Sequence, residues 1–348
     1  KQLERGSHFG MSNELMVKLA EKLVEMIPSA ELLRFTNSGT ESTMHSVRVA
    51  RGYTKRDKIA KIAGGFNGIT DELYWGYKSP WNQADCAGIP ESAGQNLIFL
   101  PFNDIDKCKK IITENKDELA CILMEPITHF VIPPEPNFLE SIREITEKYG
   151  IVLIFDEVVT NFRIAPGGAQ EYYNVIPDLT CIGKAGGGMF PFGALVGKKE
   201  IMEIVDPSNT ADNRVDIYGT HSGNPITMVA SLATLELLED GKLCNYVNSL
   251  GDKLVEGMEN IIDKLNMNVI MTQVGAMFNP HFDLEKIPTS PTEAALGNKD
   301  KIFKFHFNLL DDGVFFSPGT SFGRVSTAHS NDDIELTLIK MEKAMRNL

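Results

Sequence analysis

The chain has 348 residues, of which 43% are hydrophobic, and its formal net charge is −13. This composition is typical of a globular protein with a large core, in one big domain or two. No cluster of Lys and Arg stands out, which argues against nucleic-acid binding. The longest apolar runs have the length of a strand and are too short to span a membrane.

The cysteines and histidines of the sequence bear on the cellular compartment and on metal binding. The five cysteines never form a CxxC pair, which favours a reduced, cytoplasmic protein. The seven histidines never take the spacing of metal ligands, so no metal site is predicted. The first residue is not Met, and the opening residues resemble the interior of a domain. We therefore expect that an N-terminal segment is missing or disordered.

Apolar periodicity and turn residues predict alternating helices and strands in the first two thirds of the chain. The predicted helices are 13–26, one that follows Glu41 and ends near Tyr53, 104–115 and 136–149. The predicted strands are 32–35, 58–62, 97–100, 121–124 and 151–155. Residues 64–96 are rich in loop formers and long enough to be a functional lid. The alternation predicts an α/β fold: a large, doubly wound, mainly parallel sheet.

After Gly223 the character of the sequence changes. The predicted helices are 225–238, 244–265, 299–311 and one that begins at Asp332; the predicted strands are 269–271, 276–282 and 314–316. This order is typical of a smaller α+β domain. We expect a large domain over residues 1–246 and a small C-terminal domain over 247–348.

Lys184 follows the short apolar stretch 179–182 and precedes three glycines. Upstream, the apolar strand 151–155 ends in Asp156 and Glu157. Pyridoxal phosphate (PLP) chemistry requires such a lysine, whose amine forms a Schiff base with the cofactor aldehyde. It also requires a carboxylate that keeps the pyridine nitrogen protonated. Asp156 follows an unbroken apolar run, so a buried cationic partner is expected for it.

Three segments of small residues invite a phosphate or nucleotide interpretation. Ser38-Gly39-Thr40 lies between a predicted strand and a helix, where it would bind phosphate or simply cap the helix. The turn Gly219–Pro225 carries the same two alternatives. Gly186-Gly187-Gly188 lacks the GxGxxG pattern of a dinucleotide loop, and its glycines are expected to let the backbone approach the cofactor closely.

Together these motifs resemble the class III PLP-dependent aminotransferases, and most closely their glutamate-1-semialdehyde 2,1-aminomutase branch. The resemblance runs from Gln2 to about the final helix. The matching stretches are 2–6, 35–41, 48–58, 101–104, 125–126, 155–158, 167–170, 177–188 and 219–225. It implies a fold-type I PLP transferase.

The resemblance also implies roles for individual residues. Lys184 would bind the cofactor covalently and move protons, and Asp156 would pair with the pyridine nitrogen. Val158 and Phe66 would lie on the two faces of the ring. The phosphate would be held by Ser38, Gly39 and Thr40 and, from the neighbouring subunit, by Thr220. The last contact implies a homodimer with shared active sites.

Three departures from the family pattern bear on the substrate. Asn67 stands where the family usually has the histidine of Tyr-His-Gly. After Glu125-Pro126 the segment lacks the asparagine that bonds the cofactor's phenolic oxygen, and His129 is either its substitute or a structural residue. Residues 319–324 lack the gating glutamate of the aminomutases, and Arg324 is either a clamp for a substrate carboxylate or a surface arginine.

These observations predict amino-group transfer between an amino acid or amine and a keto acid. The first alternative is glutamate-1-semialdehyde 2,1-aminomutase, in which the amino group moves within one carbon skeleton to give 5-aminolevulinate. The second is a PLP-binding paralogue without turnover.

Overall fold

The computed structural model describes residues 1–316 and 323–348. The chain divides into two compact units: residues 1–126 with 136–241, and residues 127–135 with 242–348. The boundary expected after residue 246 falls inside a helix that begins at Lys242. Residues 127–135, expected in the large domain, belong to the second unit.

The first unit contains seven strands and eight helices. Its strands are β1 (Leu32–Thr36), β2 (Lys58–Ile62), β3 (Leu97–Leu100), β4 (Leu119–Met124), β5 (Val152–Asp156), β6 (Leu179–Gly183) and β7 (Gly193–Gly197). Its helices are α1 (Gln2–Arg5), α2 (Glu14–Met26), α3 (Gly39–Thr54), α4 (Ile105–Asn115), α5 (Phe138–Tyr149), α6 (Ala169–Tyr172), α7 (Lys199–Met202) and α8 (Pro225–Leu238). Short 3-10 turns cover Glu91–Gly94, Lys184–Gly187 and Glu203–Val205.

The seven strands form one sheet in the order β1-β7-β6-β5-β4-β2-β3. Strands β3, β2, β4, β5 and β6 are parallel, and β7 runs antiparallel to both β6 and β1. The predicted mainly parallel sheet is therefore confirmed. Strand β7 was not predicted, because Gly-Ala-Leu-Val-Gly is fully buried and shows none of the polar–apolar alternation of a half-exposed strand.

Helix α3 packs on one face of this sheet. Its apolar residues Val47, Val49 and Ala50 join a buried cluster with side chains of β4, β5, β6 and β7. Each fully buried large side chain of such a cluster contributes roughly 1.5–3 kcal/mol to stability. Since β1 runs parallel to β6, this packing holds the N-terminus of α3 at the carboxyl edge of the sheet.

The second unit consists of helices α9 (Lys242–Leu265), α10 (Pro291–Ala294), α11 (Lys299–Asp311) and α12 (Asn331–Arg346), with strands β8 (Val269–Val274), β9 (Met277–Phe282) and β10 (Gly323–Arg324). The strands form an antiparallel sheet in the order β10-β9-β8. The strand predicted at 314–316 is wrong: Val314 and Phe316 pack against the apolar core of this unit without pairing as a strand.

The excursion 127–135 is fixed within the second unit by its own turn and by β9. The N–H of Val131 donates to the carbonyl of Thr128 at 2.8 Å, and Asn279 Nδ2 donates to the carbonyl of Phe130 at 3.0 Å. Within residues 1–316 and 323–348, no helix combines the length and apolar character needed to cross a membrane.

Candidate active site

Four neighbouring parallel strands end at the same edge of the first unit's sheet. Each is followed by a polar or charged residue: β2 by Asn67, β4 by Glu125 and β6 by Lys184, while β5 ends in Asp156 itself. Ligand sites of open α/β sheets lie at this edge, outside the carboxyl ends of the strands. The edge is therefore the candidate active site.

Asp156 is buried, with 5% of its surface exposed. Its Oδ2 accepts a hydrogen bond from Asn67 Nδ2 at 2.9 Å, and its Oδ1 accepts one from the N–H of Val158 at 3.2 Å. Burial nevertheless raises the pKa of Asp156, against the lowering effects of the Asn67 hydrogen bond and the Lys184 charge. A cation bound beside this carboxylate would stabilise its charged form.

Lys184 lies three residues beyond Cys181, which pairs with Asp156 across β5 and β6. Its side chain is exposed, and its backbone is left-handed with φ of 43°. Non-glycine residues seldom adopt this conformation, which costs free energy and is often found at functional sites. Its positive charge lowers the pKa of both Asp156 and Glu125.

The glycines after Lys184 are needed for packing within the protein. A Cβ at Gly186 would lie 2.9 Å from Phe162 and Phe192, and one at Gly187 would lie 2.6 Å from Phe192. A Cβ at Gly188 would lie 2.6 Å from the carbonyl oxygen of Ala230. Glycine is needed here because these neighbours fill the space of a side chain.

The N-terminus of α3 is capped by Ser38, whose Oγ accepts from the N–H of Glu41 at 3.2 Å. The N–H groups of Gly39 and Thr40 lie in the first turn, where a helix offers no internal acceptor, so they are available to an anion. A Cβ at Gly39 would lie 2.7 Å from Val158 Cγ1. Val158 thus packs directly over this glycine, beside the end of β5.

Residues 66–68 join the same surface. The N–H of Phe66 donates to Glu125 Oε2 at 3.0 Å, and Thr43 Oγ1 donates to the carbonyl of Asn67 at 2.8 Å. A Cβ at Gly68 would lie 3.0 Å from Thr40 Cα. The loop after β2 is therefore held against both β4 and the N-terminus of α3.

Comparison with known proteins places the chain in a family. The Aminotransferase class-III family model matches residues 1–320. The chain belongs to the class III aminotransferases. Two glutamate-1-semialdehyde 2,1-aminomutases, from Methanosphaera stadtmanae and Thermodesulfovibrio yellowstonii, are 42% and 40% identical to it. Each match covers 100% of this chain and 82% of the relative.

Solved structures agree with this membership. An omega-transaminase from Sphaerobacter thermophilus is 34% identical, with a TM-score of 0.92 over 99% of this chain and 81% of that chain. A β-phenylalanine aminotransferase from Variovorax paradoxus is 27% identical, with a TM-score of 0.89 over 99% of this chain and 77% of that chain. The predicted fold-type I architecture is confirmed, and the class III aminotransferase described here is a PLP-dependent enzyme that transfers amino groups.

The residues at the carboxyl edge fit PLP on their own chemistry. The buried Asp156 suits a protonated ring nitrogen, and the first turn of α3 suits the phosphate. Val158, packed over Gly39, and the aromatic Phe66, anchored to Glu125, offer apolar surface for a flat ring. Bound PLP supplies an electron sink for negative charge at the substrate Cα.

Asp156 and Glu157 point to opposite faces of the strand end, as adjacent residues of a strand do. Glu157 is fully buried and accepts from Thr160 Oγ1 at 2.8 Å and from Gln170 Nε2 at 2.9 Å. It also accepts from the N–H of Ala169. Of the two carboxylates, Glu157 is thus the one that holds the turn before α6.

Two buried ionisable residues were missed from the sequence. Glu125 is 6% exposed, and burial, reinforced by the charge of Asp156, raises its pKa to about 8. Lys61 is fully buried, burial lowers its pKa to about 8, and its Nζ donates at 2.8 Å to the carbonyls of Leu73 and Trp75. The position of Glu125 immediately after a buried strand, like that of Asp156 at a strand end, was the available signal.

The remaining predicted site residues are Thr220, His129 and Arg324. Thr220 is exposed, in a turn tied to the start of α3 through Ser222 Oγ, which accepts from Asn37 Nδ2 at 3.1 Å. His129 and Arg324 belong to the second unit, where His129 packs edge-on against Phe130 and Arg324 pairs with Met277 in the sheet. Of the segment 319–324, residues 319–322 lie outside the described residues.

Proposed function

We propose that the enzyme transfers an amino group from an amino acid or amine to a keto acid, with Lys184 and Asp156 as its catalytic residues. One observation carries this assignment: Lys184 and the buried Asp156 end adjacent parallel strands at one edge of the sheet. That edge also carries the N-terminus of α3, so one surface offers an amine, an acid and an anion site.

In this proposal each residue has a separate task. Lys184 would hold the cofactor aldehyde through its amine and would take the Cα proton of the donor as general base. Asp156 would keep the ring nitrogen cationic, while Val158 and Phe66 would pack against the ring. Ser38, Gly39 and Thr40 bind the phosphate, and Asn67 orients Asp156.

Borohydride reduction tests the attachment point. Reduction of the PLP-loaded enzyme should fix the cofactor mass on the peptide that contains Lys184, and amino-acid donors should bleach the near-visible band without a keto acid present. Label on any other lysine, or a spectrum that no donor changes, would contradict the proposal.

A second function, glutamate-1-semialdehyde 2,1-aminomutase, is favoured by the aminomutase relatives at 42% and 40% identity. Against it stand the absence from the sequence of the asparagine after Glu125-Pro126 and of the gating glutamate near residue 321. Glutamate 1-semialdehyde supplied alone separates the two functions. A transaminase forms no 5-aminolevulinate beyond one equivalent, whereas sustained turnover identifies the aminomutase.

Three further assignments are proposed with it. The enzyme forms a homodimer in which Thr220 reaches the partner's cofactor phosphate, and the five free cysteines favour a cytoplasmic location. His129 and Arg324 contact the substrate. Alanine at either position should raise KM for the carboxylate substrate several-fold, and an unchanged KM would remove that residue from the site.

A further inference from the structure

A buried amide lies beside two buried carboxyl groups at the carboxyl edge. Asn67 is 1% exposed, and its Nδ2 donates to Asp156 Oδ2 at 2.9 Å. Its Oδ1 is also buried, and within the described residues it receives no hydrogen bond. Since buried polar atoms are almost always satisfied, this carbonyl oxygen calls for a donor.

Glu125 borders the same small space as that oxygen. A Cβ at Gly65 would lie 3.5 Å from Asn67 Oδ1 and 3.6 Å from Glu125 Oε2. Both oxygens therefore face the volume that the missing side chain of Gly65 leaves open. If Glu125 were ionised, two acceptors would face each other there, whereas a protonated carboxyl provides the missing donor.

We propose that Asn67 is a positioning residue whose Oδ1 accepts a hydrogen bond from the carboxylic acid of Glu125. Its Nδ2 donates to Asp156 and thereby holds that carboxylate in place. The role of Asp156 in this relay rests on the proposed function, whereas the bond between Glu125 and Asn67 does not. An amide keeps its protons, unlike the histidine usual at this position in the family. The titrating proton of the pair therefore belongs to Glu125.

The surrounding charges agree with a neutral Glu125 at pH 7. Burial and the Asp156 carboxylate raise its pKa to about 8, against opposing effects of the Phe66 N–H, Lys184 and Lys61. Burial, reinforced by the charge of Glu125, raises the pKa of Tyr77 to about 12, so Tyr77 stays neutral as well.

The rival arrangement reverses the amide. With Oδ1 and Nδ2 exchanged, Asn67 would donate to an ionised Glu125 and accept from a protonated Asp156. The two arrangements place one proton on different residues, so an experiment that locates the proton decides between them.

Infrared difference spectroscopy of the cofactor-free protein at pH 6 locates it. The carboxylic-acid carbonyl band should disappear in Glu125→Gln and persist in Asp156→Asn. In Asn67→Leu the band should move to higher frequency, because its hydrogen bond is lost. Glu157→Gln, at a buried carboxyl on the other side of the strand end, is the matched control and should leave this band in place. Loss of the band in Asp156→Asn, or a band unmoved in Asn67→Leu, would overturn the proposal.

The holoenzyme supplies a second readout that a purely structural role would not move. The pH midpoint of the cofactor's near-visible band should shift in the same direction in Asn67→Leu and Glu125→Met. It should return toward the wild-type value in Glu125→Gln, whose amide retains a donor. Equal shifts in Met and Gln variants would contradict the relay. If no cofactor band forms at all, the proposed function fails, and the infrared result still stands by itself.

Discussion

Lys184 and Asp156 lie in opposite environments, one exposed and the other buried. Lys184 is exposed at the head of a 3-10 turn, while Asp156 is buried and accepts hydrogen bonds from Asn67 and Val158. The exposed amine suits attack and proton transfer, and the buried carboxylate suits a fixed position beside a cofactor ring. The two residues are therefore expected to fail differently when they are changed.

Lys184→Ala should fold normally, bind PLP without a covalent link and lose at least about 10²–10⁴-fold in turnover, the usual contribution of a positioned acid or base. Borohydride labelling and steady-state rates measure both effects. Lys199→Ala, at a lysine that is 66% exposed in its side chain, is the control and should keep wild-type rates. Turnover at the wild-type rate in Lys184→Ala would show that this lysine takes no part in the mechanism.

Asp156→Ala should still bind PLP weakly but lose most of the rate, because the ring nitrogen loses its counter-charge. Glu157→Gln should instead lose stability and keep its rate. Weakening the hydrogen bonds of this fully buried carboxylate to Thr160 and Gln170 should cost about 1–3 kcal/mol of unfolding free energy and leave kcat nearly unchanged. Urea titration and kinetics on both variants test the contrast, which equal kinetic losses would refute.

At the scale of elements, the start of α3 and the end of β5 fit each other closely. A Cβ on Gly39 would meet both methyl groups of Val158, at 2.7 and 2.8 Å. These two residues thus form one wall of the candidate cofactor site.

Gly39→Ala should therefore weaken PLP binding by about tenfold, equivalent to roughly 1.4 kcal/mol. The double variant Gly39→Ala/Val158→Ala should recover part of the loss, because the smaller side chain clears the collision. Spectroscopic titration of the apoenzyme with PLP gives the four dissociation constants of this cycle. Strict additivity of the two changes would mean that the residues do not share a wall.

Lys61 anchors the loop after β2 through hydrogen bonds to the carbonyls of Leu73 and Trp75. Its folded-state pKa of about 8 lies below the ordinary value of 10.5, so between these pH values the folded state binds fewer protons than the unfolded one. Stability gained from this group is then greatest above pH 10.5 and is lost as the pH falls toward 8.

Lys61→Met removes that dependence. The unfolding free energy of wild type relative to Lys61→Met should rise from pH 8 to 10 by at most about 1.4 kcal/mol per pH unit. The variant also leaves the carbonyls of Leu73 and Trp75 without this donor, a cost of about 1–3 kcal/mol for each. The unfolding free energies of both proteins are measured by urea unfolding. If they change with pH by the same amount, Lys61 is not the titrating group.

At the scale of the whole molecule, the dimer is the proposal to test. Met189, directly after the glycine turn, and Tyr218, just before Thr220, are 101% and 79% exposed. Large apolar side chains left exposed beside a site are typical of surfaces that a partner covers.

Mixed dimers test shared sites directly. Lys184→Ala and Thr220→Arg homodimers should each be weakly active. In a hybrid of the two, both lesions fall in one site and the other site is intact, so re-assembly of a mixture should restore about a quarter of wild-type activity. Mixing with no gain, or a monomer by light scattering, would exclude a site completed by Thr220.

Much of this arrangement was predictable because its signals are local. The apolar runs before Asp156 and Lys184 predict buried strands, and the small residues at Ser38 predict a helix start. Those strands and that helix form as expected. The packing role of the glycines at 186–188 could not be predicted, because it arises from Phe162, Phe192 and Ala230, which are not adjacent to them in sequence. Lys61 escaped notice because its carbonyl partners lie in an irregular loop.

The nine-residue excursion 127–135 has a practical consequence for anyone who dissects this enzyme. The polypeptide passes from the first unit to the second and back before it crosses for good after Gly241. After a protease cut at Gly241, residues 127–135 would stay covalently part of the N-terminal fragment, while the carbonyl of Phe130 would still accept a hydrogen bond from Asn279 of the other fragment. Separate expression of residues 1–241 and 242–348 would likewise divide the second unit, because residues 127–135 would be made with the first. A circular permutant is therefore a better route than truncation.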